Sequence, residues 1–174
     1  MNNVINFIAF QLIWLIAVVG ASHQIQWPCL IAVILFCIWQ LSPKRRHQTD
    51  IGLIIFALII GTMLDSLWQG LNLIQFELQM AMLPPLWILL LWITLALSIN
   101  HSLSWLNKSP WFPLLFGAIG APLSYYAGHR IGAVDFPSGF VSFCIAISLS
   151  WSIVMCIFVN FEQIVRKPKL VIKS

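Results

Sequence analysis

The sequence predicts an all-α fold: a polytopic transmembrane helical bundle that forms a single integral membrane domain over residues 1–174. Three observations carry this expectation. Of the 174 residues, 60% are hydrophobic and 8% are charged, against about 25% charged in ordinary soluble domains, so the chain cannot cover a water-facing surface. Six apolar runs have the length that a bilayer-crossing helix needs, about 17 to 25 residues. The positive residues gather in alternate connections between those runs. The same composition excludes disorder, leaves no room for a large extramembrane domain, and makes the lipid bilayer the first partner. The formal charge of +4 then reports topology, and no nucleic-acid binding is expected.

The six expected transmembrane helices run from Val4 to Ala21, Ile25 to Leu41, Ile51 to Gln69, Pro85 to Trp105, Trp111 to Arg130 and Ser138 to Phe161. The first ends on Val19-Gly20-Ala21, the small-residue end of a signal peptide. Its leader Met1-Asn2-Asn3 lacks the positive charge such a signal carries, which favours an uncleaved helix. The second is the shortest, and Pro28 lies in its first turn, where a missing N–H costs nothing. Pro85 opens the fourth in the same way. Between the third and fourth, residues 71–83 alternate apolar and polar side chains from Ile74 to Met82, the period of a strand. A polar helical stripe through Asp65, Gln69, Asn72, Gln75 and Gln79 competes with that reading. Gly70 and Pro84-Pro85 favour an extended or interfacial segment. No repeat relates the first three runs to the last three, so an inverted-repeat transporter gains no support.

Orientation follows from charge, because Lys and Arg accumulate in cytoplasmic loops. Lys44, Arg45 and Arg46 follow the second run, Lys108 follows the fourth, and Arg166, Lys167, Lys169 and Lys173 follow the sixth; only Arg130 falls on the other side. Both termini are therefore expected in the cytoplasm. Trp27, Trp68 and Trp87 then fall near outer ends and Trp39, Trp105 and Trp111 near inner ends, as amphipathic rings prefer.

Ionisable groups inside a bilayer cost at least about 2.5 to 3.5 kcal/mol each at the centre, so they point to candidate sites. Asp65 lies about 21 Å along the third helix from Ile51, and Tyr125 lies equally far along the fifth from Trp111. With Gln69, Tyr126, His129 and Arg130 they form a candidate outward-facing polar pocket. The structural alternative pairs Arg130 with Asp135 and lets Asp65 bond Gln69 and Ser66. Gln11, Asn100, His101 and Ser150 form a candidate inner polar layer, in which His101 lies about 12 Å from Asp65 along the normal; interhelical hydrogen bonding is its commonest use. On the fifth helix Gly117, Ala121, Ser124 and Gly128 make a small-residue stripe suited to close packing, and Pro122 frees the Ala118 carbonyl and predicts a kink.

No phosphate loop, zinc-protease motif or nucleophile elbow is visible. The four cysteines, Cys29, Cys37, Cys144 and Cys156, lie in apolar runs without metal-ligand spacing. No cofactor or metal is expected, and the differing depths of His101 and His129 argue against one shared haem.

Leu64-Asp65-Ser66-Leu67, Pro85-Leu86-Trp87-Ile88 with Leu91-Trp92, Asn100-His101-Ser102-Leu103 with Trp105-Leu106, and Gly120-Ala121-Pro122-Leu123 with Tyr125 and Gly128 resemble a family of small bacterial inner-membrane proteins, domain of unknown function 2878. The resemblance covers mainly the third to fifth runs. It implies a multi-pass helical protein of the bacterial inner membrane, and no activity or catalytic residue. It also implies genes for fatty-acid or phospholipid modification as frequent neighbours, hence membrane proteins of a lipid-modification system as partners. The expectation is therefore a non-catalytic component supporting lipid-modification or envelope processes. A small permease with a pathway around Asp65, Tyr125, His129 and His101, and a membrane-embedded lipid-acting enzyme using a histidine, are the alternatives.

Overall fold

The computed structural model describes residues 2–79 and 83–165. Its helices are α1 (Asn2–Ser22), α2 (Trp27–Gln40), α3 (Asp50–Gly70), α4 (Leu86–Ile99), α5 (Trp111–Leu115), α6 (Ala121–Ile131), α7 (Phe140–Val159) and α8 (Phe161–Val165). A 3-10 turn, Ser104–Lys108, precedes α5, and a π-turn, Phe116–Gly120, joins α5 to α6 without leaving helical backbone angles. Three helices, α1, α3 and α7, are long and apolar enough to cross a membrane. The architecture is all-α, and with those helices it is that of an integral membrane protein.

The surface shows why the sequence is so apolar. On α3, Ile51, Ile55, Ile59, Met63 and Leu67 are exposed, one turn apart, while Asp50, Leu53, Ala57, Gly61, Asp65 and Trp68 are buried on the opposite face. Val141, Ile145, Leu149 and Ile153 form the same exposed stripe on α7. Such a face is stable in lipid and not in water. Helix α4 differs, being apolar all round and buried from Trp87 through Ile99 on most of its surface, as expected of the central helix of a bundle.

Three helices stop by the same device at the same end of the bundle. The N–H of Ile25 bonds the Gly20 carbonyl, that of Leu73 the Trp68 carbonyl and that of Ala133 the Gly128 carbonyl. Each pair spans five residues around a left-handed residue, Gln24, Asn72 or Gly132. This is the Schellman arrangement, which satisfies the last orphan carbonyls. The loops beyond α3 and α6 then meet as a short antiparallel pair, β1 (Gln75–Phe76) with β2 (Val134–Asp135). Ile74 and Phe76 point inward and Gln75 and Glu77 outward, so the alternation in this segment is that of an extended chain.

The expected spans need two corrections. The fourth ends at Ile99 rather than Trp105, because Asn100, His101 and Ser102 turn out of the helix to make side-chain hydrogen bonds with other elements. The fifth is interrupted by the π-turn, whose cause is Pro122. Lacking an N–H, Pro122 leaves the Ala118 carbonyl free, and the Ser148 hydroxyl of α7 donates to it at 2.9 Å. Ser152 donates in the same way to the Leu114 carbonyl at 3.1 Å.

Candidate functional site

Asp65 is fully buried about three quarters of the way along α3 and faces α4 and α6. The indole N–H of Trp92 donates to its Oδ2 at 2.7 Å and the Tyr125 hydroxyl donates to its Oδ1 at 3.2 Å. Trp92 reaches it because Gly61, one turn earlier on α3, has no side chain: a Cβ there would sit 2.5 Å from three atoms of the Trp92 ring. The other side of the indole stacks on Trp151, with ring centroids 4.8 Å apart. The buried N–H of Trp151 interacts with the Tyr125 oxygen without reaching hydrogen-bond geometry. Tyr125 is held edge-on by Trp68 and Phe143 and tilted against Phe76.

The residues expected around Asp65 divide. Tyr125 meets its carboxylate, while the Gln69 side chain bonds only its backbone carbonyl, at 3.3 Å. Ser66 Oγ is buried without a partner. Tyr126 is exposed against Phe140. His129 turns away, its Nδ1 lying 2.9 Å from the Val134 carbonyl and 3.7 Å from Asp135 Oδ1. Arg130 is exposed. The physical reason is that α6 presents Tyr125 and Gly128 inward, which turns Tyr126, His129 and Arg130 to its other faces. The loop partner of Asp135 is accordingly His129 rather than Arg130.

Trp92, Tyr125 and Trp151 also form one wall of a cavity of about 460 Å³ between α1, α4, the π-turn and α6. That volume lies within the usual range of small-molecule sites, about 300 to 1,000 Å³. Its lining is aromatic and aliphatic, with Gln11 of α1 and Ser124 of α6 as polar exceptions, the latter accepting the Trp14 indole N–H at 2.9 Å. Exposed Leu123 stands at its edge. The small-residue stripe shapes this space. Gly117 lies against the backbone of Trp151, where a Cβ would come within 2.4 Å of its carbonyl oxygen. Past the π-turn the stripe changes neighbour, so that Ala121, Ser124 and Gly128 line the cavity.

At the opposite end of α3, Asp50 is the centre of a second buried polar cluster. Its Oδ1 accepts from Asn100 at 2.9 Å; its Oδ2 accepts from the backbone N–H of His47 at 2.8 Å and lies 3.0 Å from His101 Nε2. Asn100 also donates to Thr49, whose hydroxyl bonds His47 Nδ1. From α1, Asn6 donates to the Leu97 carbonyl and to Gln40 Oε1 and accepts from Ser102. Four stretches of chain are tied together this way. Gln11 and Ser150 stand outside the cluster: Gln11 lines the cavity and Ser150 bonds carbonyls of its own helix.

The proton count of this cluster is informative. The Leu97 carbonyl can only accept, so the Asn6 amide nitrogen faces it, and the Gln40 oxygen must face Asn6. The Gln40 amide nitrogen then lies 3.0 Å from His101 Nε2, the same ring nitrogen that approaches Asp50. One nitrogen cannot accept from Gln40 and donate to Asp50 at once, so the two contacts compete for one proton position. Asp50, Asn6 and Gln40 were not legible as one site: each lies at or near a helix end on a different element. The available signal was the spacing of Asp50 and Asp65, which puts both carboxylates on one face of α3.

No curated protein and no solved structure matches the chain. A family model described as a protein of unknown function (DUF2878) matches residues 3–157. That match runs from the start of α1 into the last turn of α7 and includes both buried carboxylates, and on it the chain belongs to this family of unknown function.

Proposed function

We propose that this chain is a multi-pass inner-membrane protein, with six spans and cytoplasmic termini, that holds an amphipathic, lipid-like ligand in the cavity between α1, α4 and α6. Its role on this reading is non-catalytic: a membrane component that supports a lipid-modification or envelope process alongside other membrane proteins of that system. The observation that carries the reading is the cavity itself. It is apolar, it is edged by a lipid-exposed side chain, and its small-residue wall leaves volume where a packing role alone would close it.

The polar cluster around Asp50 supports the same division of labour. Its side chains are consumed in bonds between α1, α2, α3 and the turn after α4, and such bonds hold membrane helices in register. The six-span arrangement is supported by the pairing of ends. Asn6, Gln40, His47, Asn100 and Glu162 meet at one end, and Gln24, Gln26, Glu77, Trp87 and Asp135 meet at the other.

Native mass spectrometry of the gently purified full-length chain tests the reading. Wild type is expected to retain one lipid-sized molecule, and the filling variants Ala121→Phe and Ser124→Leu to lose it while melting within a few degrees of wild type. Equal retention by all three, or none by wild type, removes the basis of the proposal.

A further inference from the structure

We infer that the ligand taken by this cavity carries a positive charge of the ammonium type on an apolar body; the inference rests on the cavity reading above and specifies its ligand class. The carboxylate of Asp65 has donors, from Trp92 and Tyr125, and among the described residues no Lys, Arg or His within ion-pair distance. No basic residue lines the cavity either, and the two nearest candidates, His129 and Arg130, are turned away. A cation seated against that wall would hold Asp65 in its ionised form, and the carboxylate, with no countercharge of its own among the described residues, would supply the negative charge that the ligand meets.

It is transmitted through the wall. Trp92 and Tyr125 both line the cavity and both donate to the carboxylate. A ring that donates its N–H or O–H to an anion becomes richer in π-electron density. Trp14, Trp87 and Trp151 complete an aromatic-rich lining. Aromatic walls backed by a buried carboxylate attract a weakly hydrated cation and repel an anion, and they do so most strongly where water is excluded. Lys-like ammonium ions are too strongly hydrated to leave water for such a site alone, which is why the apolar body matters. Both a lipid headgroup amine and a free lipophilic cation have this chemistry.

The test compares probes of different charge on similar apolar bodies, bound to the purified full-length chain. Tetraphenylphosphonium, uncharged triphenylphosphine oxide and tetraphenylborate form one set, and dioleoyl trimethylammonium propane, dioleoylglycerol and dioleoylphosphatidic acid the other. The expected order in either set is cation, then neutral, then anion, with the cation weakened about tenfold in Asp65→Asn and the neutral probe unaffected. The set that shows the order identifies the source, lipid or free cation. Equal binding of all charges by wild type, a measurement that requires no variant to fold, overturns the charge inference and leaves the cavity reading standing. An unchanged preference in folded Asp65→Asn overturns it too. Absence of binding by every probe, or binding indifferent to Ala121→Phe and Ser124→Leu, overturns both.

Discussion

At Gly61 the space available to one hydrogen atom decides how a carboxylate is buried. A methyl group there would press into the face of the Trp92 ring, 2.5 Å from Cδ1, Cδ2 and Cε2, so Trp92 would have to move and its 2.7 Å bond to Asp65 would lengthen or break. Overpacking of this kind costs about 1 to 3 kcal/mol. Gly61→Ala is therefore expected to lower the midpoint of unfolding in detergent. Trp92→Phe keeps a ring against Trp151 but removes a donor from a buried carboxylate, a loss of about 1 to 3 kcal/mol. The two changes act through the same bond, so the double variant should fall short of their sum. Additive losses, or a Gly61→Ala protein that unfolds like wild type, would show that Gly61 has no part in seating Trp92.

The same neighbourhood shows what a sequence can and cannot reveal at this scale. Asp65 and Tyr125 lie fourteen residues past Ile51 and Trp111, the starts of their apolar runs, and equal depth was enough to place them at one level. Trp92 was not legible as their partner, because an indole in an apolar run is indistinguishable from lipid-facing or core filler until the rotation of α4 is known. His129 and Arg130 were expected at the carboxylate because depth was known and azimuth was not. Rise per residue is a property of the backbone alone, whereas the direction a side chain faces depends on which helices become neighbours.

Among the elements, the segment from α5 through the π-turn to α6 depends most on a partner. Pro122 deprives the Ala118 carbonyl of its helical donor, and Ser148 of α7 supplies another at 2.9 Å. In a bilayer that carbonyl has no water to turn to. Ser148→Ala should therefore cost about 1 kcal/mol in a wild-type background. In Pro122→Ala, where the backbone N–H returns, the cost should shrink toward zero, and the π-turn should regularise. A double-mutant cycle on unfolding in detergent measures the difference; equal costs in the two backgrounds would mean that Ser148 does not serve the Ala118 carbonyl. That Pro122 interrupts the helical hydrogen bonding was legible, but nothing in the sequence marked Ser148 as the partner of the Ala118 carbonyl. Likewise the fourth apolar run gave the position of α4 but not its end, since nothing local in Asn100-His101-Ser102 says that those side chains find Asp50, Gln40 and Asn6.

For the whole molecule the decisive quantity is the sidedness of charge. The Lys44 to Arg46 loop leads into His47 and Asp50, which meet Glu162 and the Asn100-His101 turn; Lys108 lies in the 3-10 turn a few residues beyond. The basic connections thus share the Asp50 end of the bundle, while the β1–β2 pair and Arg130 lie toward the Asp65 end. Moving either basic group across the bilayer would oppose the rule that retains Lys and Arg in the cytoplasm. Single cysteines at exposed loop positions report the outcome directly, in a background where Cys29, Cys37, Cys144 and Cys156, all within apolar helices, are replaced by Ala or Ser. In intact cells a membrane-impermeant maleimide should reach Glu77→Cys and Ser138→Cys. Gln48→Cys and Asn107→Cys should react only after the membrane is opened. Periplasmic labelling at Gln48 or Asn107 would reverse the orientation. Labelling of Gln48 from one side and Asn107 from the other would contradict the fold: the stretches of chain that carry Asp50 and His101 would then enter the membrane from opposite faces, and the 3.0 Å contact between them could not exist.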